Sequence, residues 1–413
     1  MSAGAPAGLL PPRLLAAYGA LGLPLAFVAL PIYVHLPKLY ADFGLSLASI
    51  GAVLLAARLW DALIDPLIGR WGDSLASRRL PILLGLPLMI GGFAGLVRPP
   101  EAPSSGWLLV MLLIVYLGYS LASVNHHAWG AELSADPAER TRITATREGF
   151  ALAGVLLAAA LPGVLGATLA DGLAQLAWLF TATLLLAALG LFVLPRGASA
   201  VAAEPAGLWS TLGRPRFLRL LAVFAVSGIA AAIPASLLLF FVADVLHAEA
   251  HSGGFLAVYF LTGAAGLPGW VWLTHRRGKR FAWGCGMWLA VAVFAWAGLL
   301  GAGDVLPFYL ICALSGLALG ADLALPPSLL ADVIEAEGGG AGSYFGWWNF
   351  TAKLNLALAA GAALPLLGGL GYVPGQRNGG GLAALALLYA GVPAALKLLA
   401  WGLLRSLHNE DGS

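Results

Sequence analysis

Charged residues are scarce in this chain. Asp, Glu, Lys and Arg together make up 10% of its 413 residues, whereas a soluble globular protein has roughly 25%. Hydrophobic residues make up 60% and the mean hydropathy is +0.88, which indicates a membrane protein that crosses the bilayer many times. The net charge of +2 is too small to indicate nucleic acid as a partner.

Motifs for catalysis and for structural metals are also missing. The two cysteines, Cys285 and Cys312, lie in apolar segments and give neither a disulfide framework nor metal-site spacing. No Walker A loop is present, which argues against direct use of ATP, and no pair of nucleophile and base stands out. We therefore expect neither an enzyme nor a cofactor. A cleavable signal pattern is absent too, so we expect the first apolar run to be retained.

Twelve apolar runs have the length needed to cross a bilayer, about 20 residues. They predict spans at 14–36, 47–69, 80–97, 107–130, 143–165, 173–194, 217–242, 253–273, 281–300, 306–330, 344–370 and 382–404. The longest polar interval, 195–216, contains Pro, Gly and Arg and predicts a cytoplasmic linker. We therefore expect an N-terminal six-helix bundle at 1–194 and a C-terminal six-helix bundle at 217–413.

The two predicted halves share one feature. The loop after the second span, Gly69–Arg79, and the loop after the eighth, Thr274–Arg280, are both short and basic. Two six-helix halves related by a repeat are the plan of the major facilitator superfamily, so we expect an all-α membrane protein of that fold. Lys and Arg concentrate in alternate loops, which predicts that both termini are cytoplasmic. The short loops favour the bacterial inner membrane.

The second span carries charges in sequence that otherwise fits lipid. Arg58, Asp61 and Asp65 recur at spacings of three and four residues, so they share one helix face. A charge at the bilayer centre costs at least ~2.5–3.5 kcal/mol, and such residues usually line a cavity. The carboxylates can hold Na⁺, or one can carry a proton, since two close like charges do not both stay ionised. The alternative is an ion-pair ladder that only holds helices together.

The eleventh span offers a counter-charge. Lys353 lies well inside it, four residues after Asn349, and the two share a helix face. Lys353 would reduce the repulsion between the acids of the second span when no cation is bound, and Arg58 could hold Asp61. The alternative is that Lys353 reaches the membrane interface. For Lys397, which is nearer the end of its span, we expect the side chain to reach the interface.

Further polar side chains within the spans are candidates to bind a substrate. Ser120, Ser123 and His127 follow one another at spacings of three and four residues in the fourth span. Arg147 lies one turn into the fifth span and suits a carboxylate, phosphate or sugar hydroxyls. Asp322 lies before a double proline, which suggests a broken or kinked helix beside a cavity. The alternatives are packing by the serines and a rim position for His127 and Arg147.

Three segments resemble the glycoside–pentoside–hexuronide:cation symporters. The segment Arg58–Asp73 has the pattern Arg-x-Trp-Asp-x-x-x-Asp-Pro-x-x-Gly-x-x-x-Asp of that family's signature. The segment Ala128–Glu148 is similar to the family's loop between the fourth and fifth spans. The sequence ADVIE at 331–335, followed by the lysine of the eleventh span, is similar to its carboxy-terminal half. The resemblance covers nearly the whole chain.

This resemblance implies roles for several of the candidates. Asp61 and Asp65 match the family's cation-site acids, and Ser120 falls where the family has a cation-site hydroxyl. Lys353 matches its lysine in the eleventh span, and Arg147 falls on an arginine that acts near the sugar.

Other positions depart from the family pattern. Ala26 and Ser123 stand where acidic residues grip sugar hydroxyls, and His127 stands where a tryptophan stacks on the sugar. We therefore expect galactosides to bind poorly. The same pattern occurs in sodium-dependent lysophosphatidylcholine transporters of vertebrates, so a lysolipid or another amphiphile is an alternative substrate.

The expected function is cation-coupled symport. The coupling ion is Na⁺ or H⁺, and the cargo is a small organic solute such as a sugar or glycoside, carried by alternating access. A lysolipid transporter and a membrane sensor without transport are the alternatives. The expected partners are the solute and the lipid bilayer, and we expect a monomer.

Overall fold

The computed structural model describes residues 9–195, 209–373, 375 and 379–409, and within these ranges its regular structure is helical. Residues 196–208 of the predicted linker lie outside the described residues. The prediction of an all-α chain is confirmed.

The first six long helices lie where six spans were predicted, with ends that differ by several residues. They are α1 (Pro12–Ile32), α2 (Leu47–Asp73), α3 (Arg79–Val97), α4 (Ser105–Glu132), α5 (Pro137–Ala160) and α6 (Leu169–Gly190). The first of these consists of two pieces, Pro12–Gly19 and Gly22–Val34. Short helices at Leu36–Asp42 and Pro162–Leu165 follow α1 and α5.

The second six long helices likewise match the predicted spans. They are α7 (Pro215–Val245), α8 (Glu249–Arg277), α9 (Lys279–Ala297), α10 (Val305–Glu337), α11 (Ala341–Gly369) and α12 (Gly380–Ser406). Ten of the twelve helices, all except α2 and α11, are long and apolar enough in the described residues to cross a membrane. The double proline lies inside α10, which continues through it, so the helix is not broken there, and the kink that was the other expectation stays a prediction.

Several helices begin where the local sequence offers a capping side chain. A Ser, Thr or Asp oxygen before the first turn accepts a hydrogen bond from a backbone N–H that has no partner within the helix. These residues are Ser46 for α2, Ser104 for α4, Asp136 for α5 and Thr168 for α6. Helix α5 also has proline at its first position, where the missing N–H costs nothing.

The described helices form two compact units. The first comprises the residues up to Thr211 together with Ile334–Phe350, and the second comprises Leu212–Val333 and the residues from Thr351 onward. The first unit thus includes the end of α10 and the first ten residues of α11.

Helices at corresponding positions make similar contacts in the two units. In the first unit, α6 packs against α1 and α3, and α4 packs against α2 and α3. In the second unit, α12 packs against α7 and α9. Helix α12 is the sixth helix of the second half, as α6 is of the first, and each packs against the first and third helices of its own half. These contacts fit the internal repeat that the basic loops indicated.

Helices α3 and α4 approach closely at glycines. A Cβ atom on Gly85 would lie 2.5 Å from the carbonyl oxygen of Gly118, and one on Gly118 would lie 2.6 Å from the carbonyl oxygen of Gly85. Small residues that let two backbones approach are typical of helix pairs in membranes, where no hydrophobic force draws apolar helices together.

We expect Gly85→Ala to destabilise the protein, because the added methyl group meets backbone atoms that cannot rotate away. Overpacking of this kind costs about 1–3 kcal/mol. Thermal unfolding of the purified protein measures it. Gly91→Ala on the same helix is the matched control, since a Cβ there meets nothing within 4 Å, and its stability should stay the same or rise. Equal unfolding temperatures for the two variants would contradict the close packing of α3 and α4.

Candidate cation and substrate site

Helix α2 has two opposite faces. Four leucines at intervals of four residues are 53–64% exposed on the protein surface: Leu55, Leu59, Leu63 and Leu67. Asp61 and Asp65 lie on the other face and are 1% and 0% exposed. The helix therefore presents aliphatic side chains outward and buries both carboxylates inside the first unit.

Asp61 and the hydroxyl of Ser120 are brought together. Ser120 on α4 donates a hydrogen bond of 2.9 Å to a carboxylate oxygen of Asp61, and both side chains are buried. Asp65 follows one turn later on the same buried face of α2, and Arg58 precedes Asp61 by one turn and is half-buried. Two carboxylates and a hydroxyl are oxygen ligands, which suit a hard cation.

The predicted substrate residues Ser123, His127 and Asn349 all belong to the first unit. Ser123 and His127 lie one turn apart on α4, and the side chain of Asn349 interacts with the His127 ring. The His127 ring also packs edge-on against Phe345, at 5.8 Å between centroids. Among the described residues, the Ser123 hydroxyl and Nδ1 of His127 are buried without a hydrogen-bond partner. Buried polar atoms are normally paired, so these two atoms are suited to a ligand.

Arg147 is buried inside the first unit. It lies on α5 and forms an ion pair with Glu148, with 2.5 Å between a guanidinium nitrogen and a carboxylate oxygen. Nearby, the Tyr18 hydroxyl donates to the backbone carbonyl of His126 at 3.0 Å, and the His126 ring lies 2.9 Å from the carbonyl of Tyr18. These paired contacts hold α1 against α4 beside the arginine.

Asp322 and Lys353 lie in the second unit. Asp322 accepts hydrogen bonds from the Trp283 indole at 2.9 Å and from Ser227 at 3.3 Å, and it pairs with Lys397 at 2.5 Å. Lys353 is half-buried. Its role as the counter-charge of Asp61 and Asp65, and the contact of Asp322 with the transported substrate, stay predictions.

The expectation that Lys397 reaches the membrane interface is wrong. Its side chain is 1% exposed, and its ammonium donates to Asp322 and, at 2.8 Å, to Ser227. The distance of a lysine from the end of its helix does not reveal whether a carboxylate on another helix is within reach. The available signal was an acid, Asp322, within the apolar part of α10 and a lysine, Lys397, within α12.

Asp73 at the end of α2 has a role that the sequence analysis missed. Its carboxylate accepts hydrogen bonds from the backbone N–H groups of Gly342 and Ser343 and from the Ser343 hydroxyl, at 2.6–2.7 Å. Asp73 thus supplies to the first turn of α11 what a capping side chain normally supplies from the helix's own sequence. A carboxylate there is also stabilised by the positive end of the helix dipole.

Glycines bring α2 and α11 together next to this cap. A Cβ atom on Gly346 would lie 2.6 Å from the carbonyl oxygen of Asp65, and one on Gly69 would clash with the carbonyl oxygen of Gly342. The first ten residues of α11 therefore pack directly on the half of α2 that begins at the candidate cation site.

A network of ion pairs surrounds the cap. Arg78 binds Asp73 at 2.6 Å and Glu132 at 2.7 Å. Burial alone would lower the pKa of the Arg78 guanidinium, but the charges of Glu132 and Asp73 outweigh it and raise the pKa. Arg140 pairs with Glu335 at 2.6 Å, which joins the two segments that resemble the symporter family outside α2.

We expect Asp73→Asn to speed amide hydrogen exchange at Gly342 and Ser343 by on the order of tenfold. The variant keeps the shape of the side chain but loses the charge, and hydrogen bonds to a charged group contribute roughly 1.5–3 kcal/mol. Hydrogen-exchange mass spectrometry measures it. Asp136→Asn is the control, because Asp136 caps α5 through Ala138 and should change exchange only there. Unchanged exchange at 342–343 would contradict the capping role of Asp73.

Known proteins resemble this chain over its whole length. The profile of the family described as MFS/sugar transport protein matches residues 15–407. An uncharacterized symporter from Synechocystis is 29% identical over 141 residues, which are 31% of this chain and 26% of that relative's length. The aligned part of the chain thus spans about a quarter of the curated relative.

Solved structures show the same fold at low sequence identity. The E. coli fucose:proton symporter has a TM-score of 0.71 at 15% identity, covering 95% of this chain and 98% of that one. A bacterial homologue of the iron transporter ferroportin has a TM-score of 0.72 at 18% identity, covering 96% and 98%. The human organic anion transporter has 0.69 at 19%, covering 96% and 100%. The predicted fold is confirmed, and the chain belongs to the MFS/sugar transport protein family, as an integral membrane protein with the major facilitator fold.

Proposed function

We propose that the protein is a secondary active transporter. It couples the inward movement of Na⁺ or H⁺ to the uptake of a small organic solute such as a sugar or glycoside, by alternating access. Asp61, Asp65 and Ser120 hold the cation, and Ser123, His127, Arg147 and Asn349 contact the solute.

The observation that carries the proposal is the buried pair of carboxylates on α2. Asp61 and Asp65 are one turn apart on a helix whose other face is aliphatic, and Asp61 already holds the hydroxyl of Ser120. Two like charges in a dry interior repel strongly. A bound Na⁺, or a proton on one carboxylate, relieves that repulsion, so the pair has a reason to take up a cation.

Coupling follows from the contacts between α2 and α11. The carbonyl of Asp65 lies against Gly346, and Asp73 caps the first turn of α11. A change in charge at Asp61 and Asp65 acts on the same stretch of α2 that holds α11. Separation of α11 from the end of α2 requires the Asp73 cap to release. Whether a cation is bound at Asp61 and Asp65 biases that step.

The proposed solute site combines neutral polar side chains with one arginine, Arg147, which is paired with Glu148. Ser123 and His127 offer a hydroxyl and a ring nitrogen that lack hydrogen-bond partners among the described residues. Asn349 adds an amide beside them. Hydroxyls and amides suit the hydroxyl groups of a sugar, and the family description favours this class. A lysolipid is the second candidate, favoured by the absence of acids at positions 26 and 123.

We expect Asp61→Asn to abolish cation-dependent uptake into proteoliposomes, because the amide cannot carry the charge that binds the cation. Uptake of radiolabelled solute under an inward Na⁺ gradient and, separately, under an inward proton gradient measures it. Asp171→Asn makes the same chemical change at an exposed position and should transport like the wild type. Undiminished gradient-driven uptake by Asp61→Asn would sink the proposal.

We expect sugars or glycosides to bind at Ser123 and His127. In a binding assay with the purified protein, Ser123→Ala should weaken the bound sugar about two- to tenfold, since one hydrogen bond contributes about 0.5–1.5 kcal/mol. Lysophosphatidylcholine is the competitor. If it binds and no sugar displaces it, the cargo is a lysolipid; if neither binds and no solute moves under either gradient, transport itself is refuted.

A further inference from the structure

The second unit contains a cavity of about 260 Å³ that the proposed transport site does not use. It lies among α7, α8, α9, α10 and α12. Five aromatic side chains line it: Phe255, Tyr259, Phe260, Phe294 and Tyr389. Most of the remaining lining is aliphatic, so the walls suit an apolar molecule.

Two charged side chains, Asp322 and Lys397, are among the residues that line this cavity. Behind them, Ser227 and Trp283 hydrogen-bond to the pair. The Asp322 side chain is 20% exposed, whereas that of Lys397 is 1% exposed. A ligand in the cavity therefore meets the carboxylate rather than the ammonium group.

The carboxylate has room for one more hydrogen bond. A carboxylate offers about four acceptor positions, and Asp322 receives donors from Trp283, Ser227 and Lys397. A ligand with a hydroxyl or N–H group at one end would complete the set.

We propose that this cavity is a ligand site of its own, which binds an uncharged, compact apolar molecule with a single hydrogen-bond donor at one end. The proposal does not depend on the cation site or on the transported solute.

The ion pair of Asp322 and Lys397 makes a charged molecule a poor ligand for this cavity. Asp322 and Lys397 form a net-neutral pair at 2.5 Å, so a cation would leave one uncompensated positive charge. Desolvating an ion is costly, and contact with aromatic rings returns only a small part of that cost. An anion would face the exposed side of Asp322. An uncharged donor avoids both costs.

The size and lining exclude a sugar and favour a ring system. An engineered cavity of about 150 Å³ binds benzene, so 260 Å³ accommodates a molecule of one or two fused rings. A sugar carries hydroxyls all round, and each one that is left unpaired against an apolar wall is unfavourable.

A purely structural ion pair is the competing explanation. Replacing a buried pair with apolar residues of similar size is often neutral or stabilising. The double variant Asp322→Leu with Lys397→Met therefore removes both charges of the pair. The single variant Asp322→Asn would instead leave the charge of Lys397 unpaired.

The test is calorimetric titration of the full chain in lipid nanodiscs, with empty nanodiscs subtracted. The probe is 2-naphthol, which has two rings and one hydroxyl, and 2-methoxynaphthalene is the matched probe without a donor. We expect 2-naphthol to bind saturably at one site and at least tenfold more tightly than 2-methoxynaphthalene. In the double variant the two probes should bind alike. The cation 1-naphthylmethylammonium and the anion 2-naphthoate should bind more weakly than 2-naphthol to the wild type.

A second variant locates the binding. Ala231 lines the cavity, and Ala231→Phe should fill it and weaken 2-naphthol at least tenfold, while Ala231→Ser should not. Equal binding of 2-naphthol and 2-methoxynaphthalene to the wild type would overturn the proposed role of Asp322. Binding that Ala231→Phe leaves unchanged, or that empty nanodiscs reproduce, would overturn the cavity as the site.

Discussion

A carboxylate buried in a membrane protein must be compensated, and this constraint explains more of the structure than any other. Its uncompensated cost is several kcal/mol. Asp61 binds Ser120, Asp73 binds the start of α11, and Asp322 binds Lys397. Each acid therefore holds a second helix in place. Together these contacts determine which faces of α2, α4, α10, α11 and α12 turn inward.

These buried or partly buried acids have different kinds of partner, and the kind of partner indicates a different role for each. In this conformation Asp73 has partners in backbone N–H groups and Arg78, so it fastens α2 to α11. Asp322 is paired with Lys397 and also lines an aromatic cavity. Asp61 and Asp65 are two acids on one face beside a hydroxyl, which is the arrangement that gains most from a mobile cation. We propose that the coupling ion exchanges at this pair.

The twelve helices could be predicted from sequence because hydropathy and span length act along the chain. The buried face of α2 could be predicted too, since helical spacing places Asp61 and Asp65 together. Partners far away in sequence could not. Asp73 caps a helix that begins 268 residues later, and Lys397 meets Asp322 across 75 residues. Both contacts depend on how the helices rotate and pack, which one-dimensional periodicity does not contain. Ser120 was a candidate from its position in the fourth span, but only the family resemblance predicted a role for it beside Asp61.

Direct titration of the purified protein with cations tests whether Asp61 and Asp65 bind the coupling ion. Calorimetry with NaCl, compared with choline chloride, reports Na⁺ binding, and the release of protons into a weakly buffered solution reports exchange of H⁺. We expect the wild type to bind Na⁺ or to titrate a proton at this site, and we expect Asp65→Asn to lose that signal while Asp73→Asn keeps it. The same Na⁺ binding and proton release in wild type and Asp65→Asn would contradict this expectation.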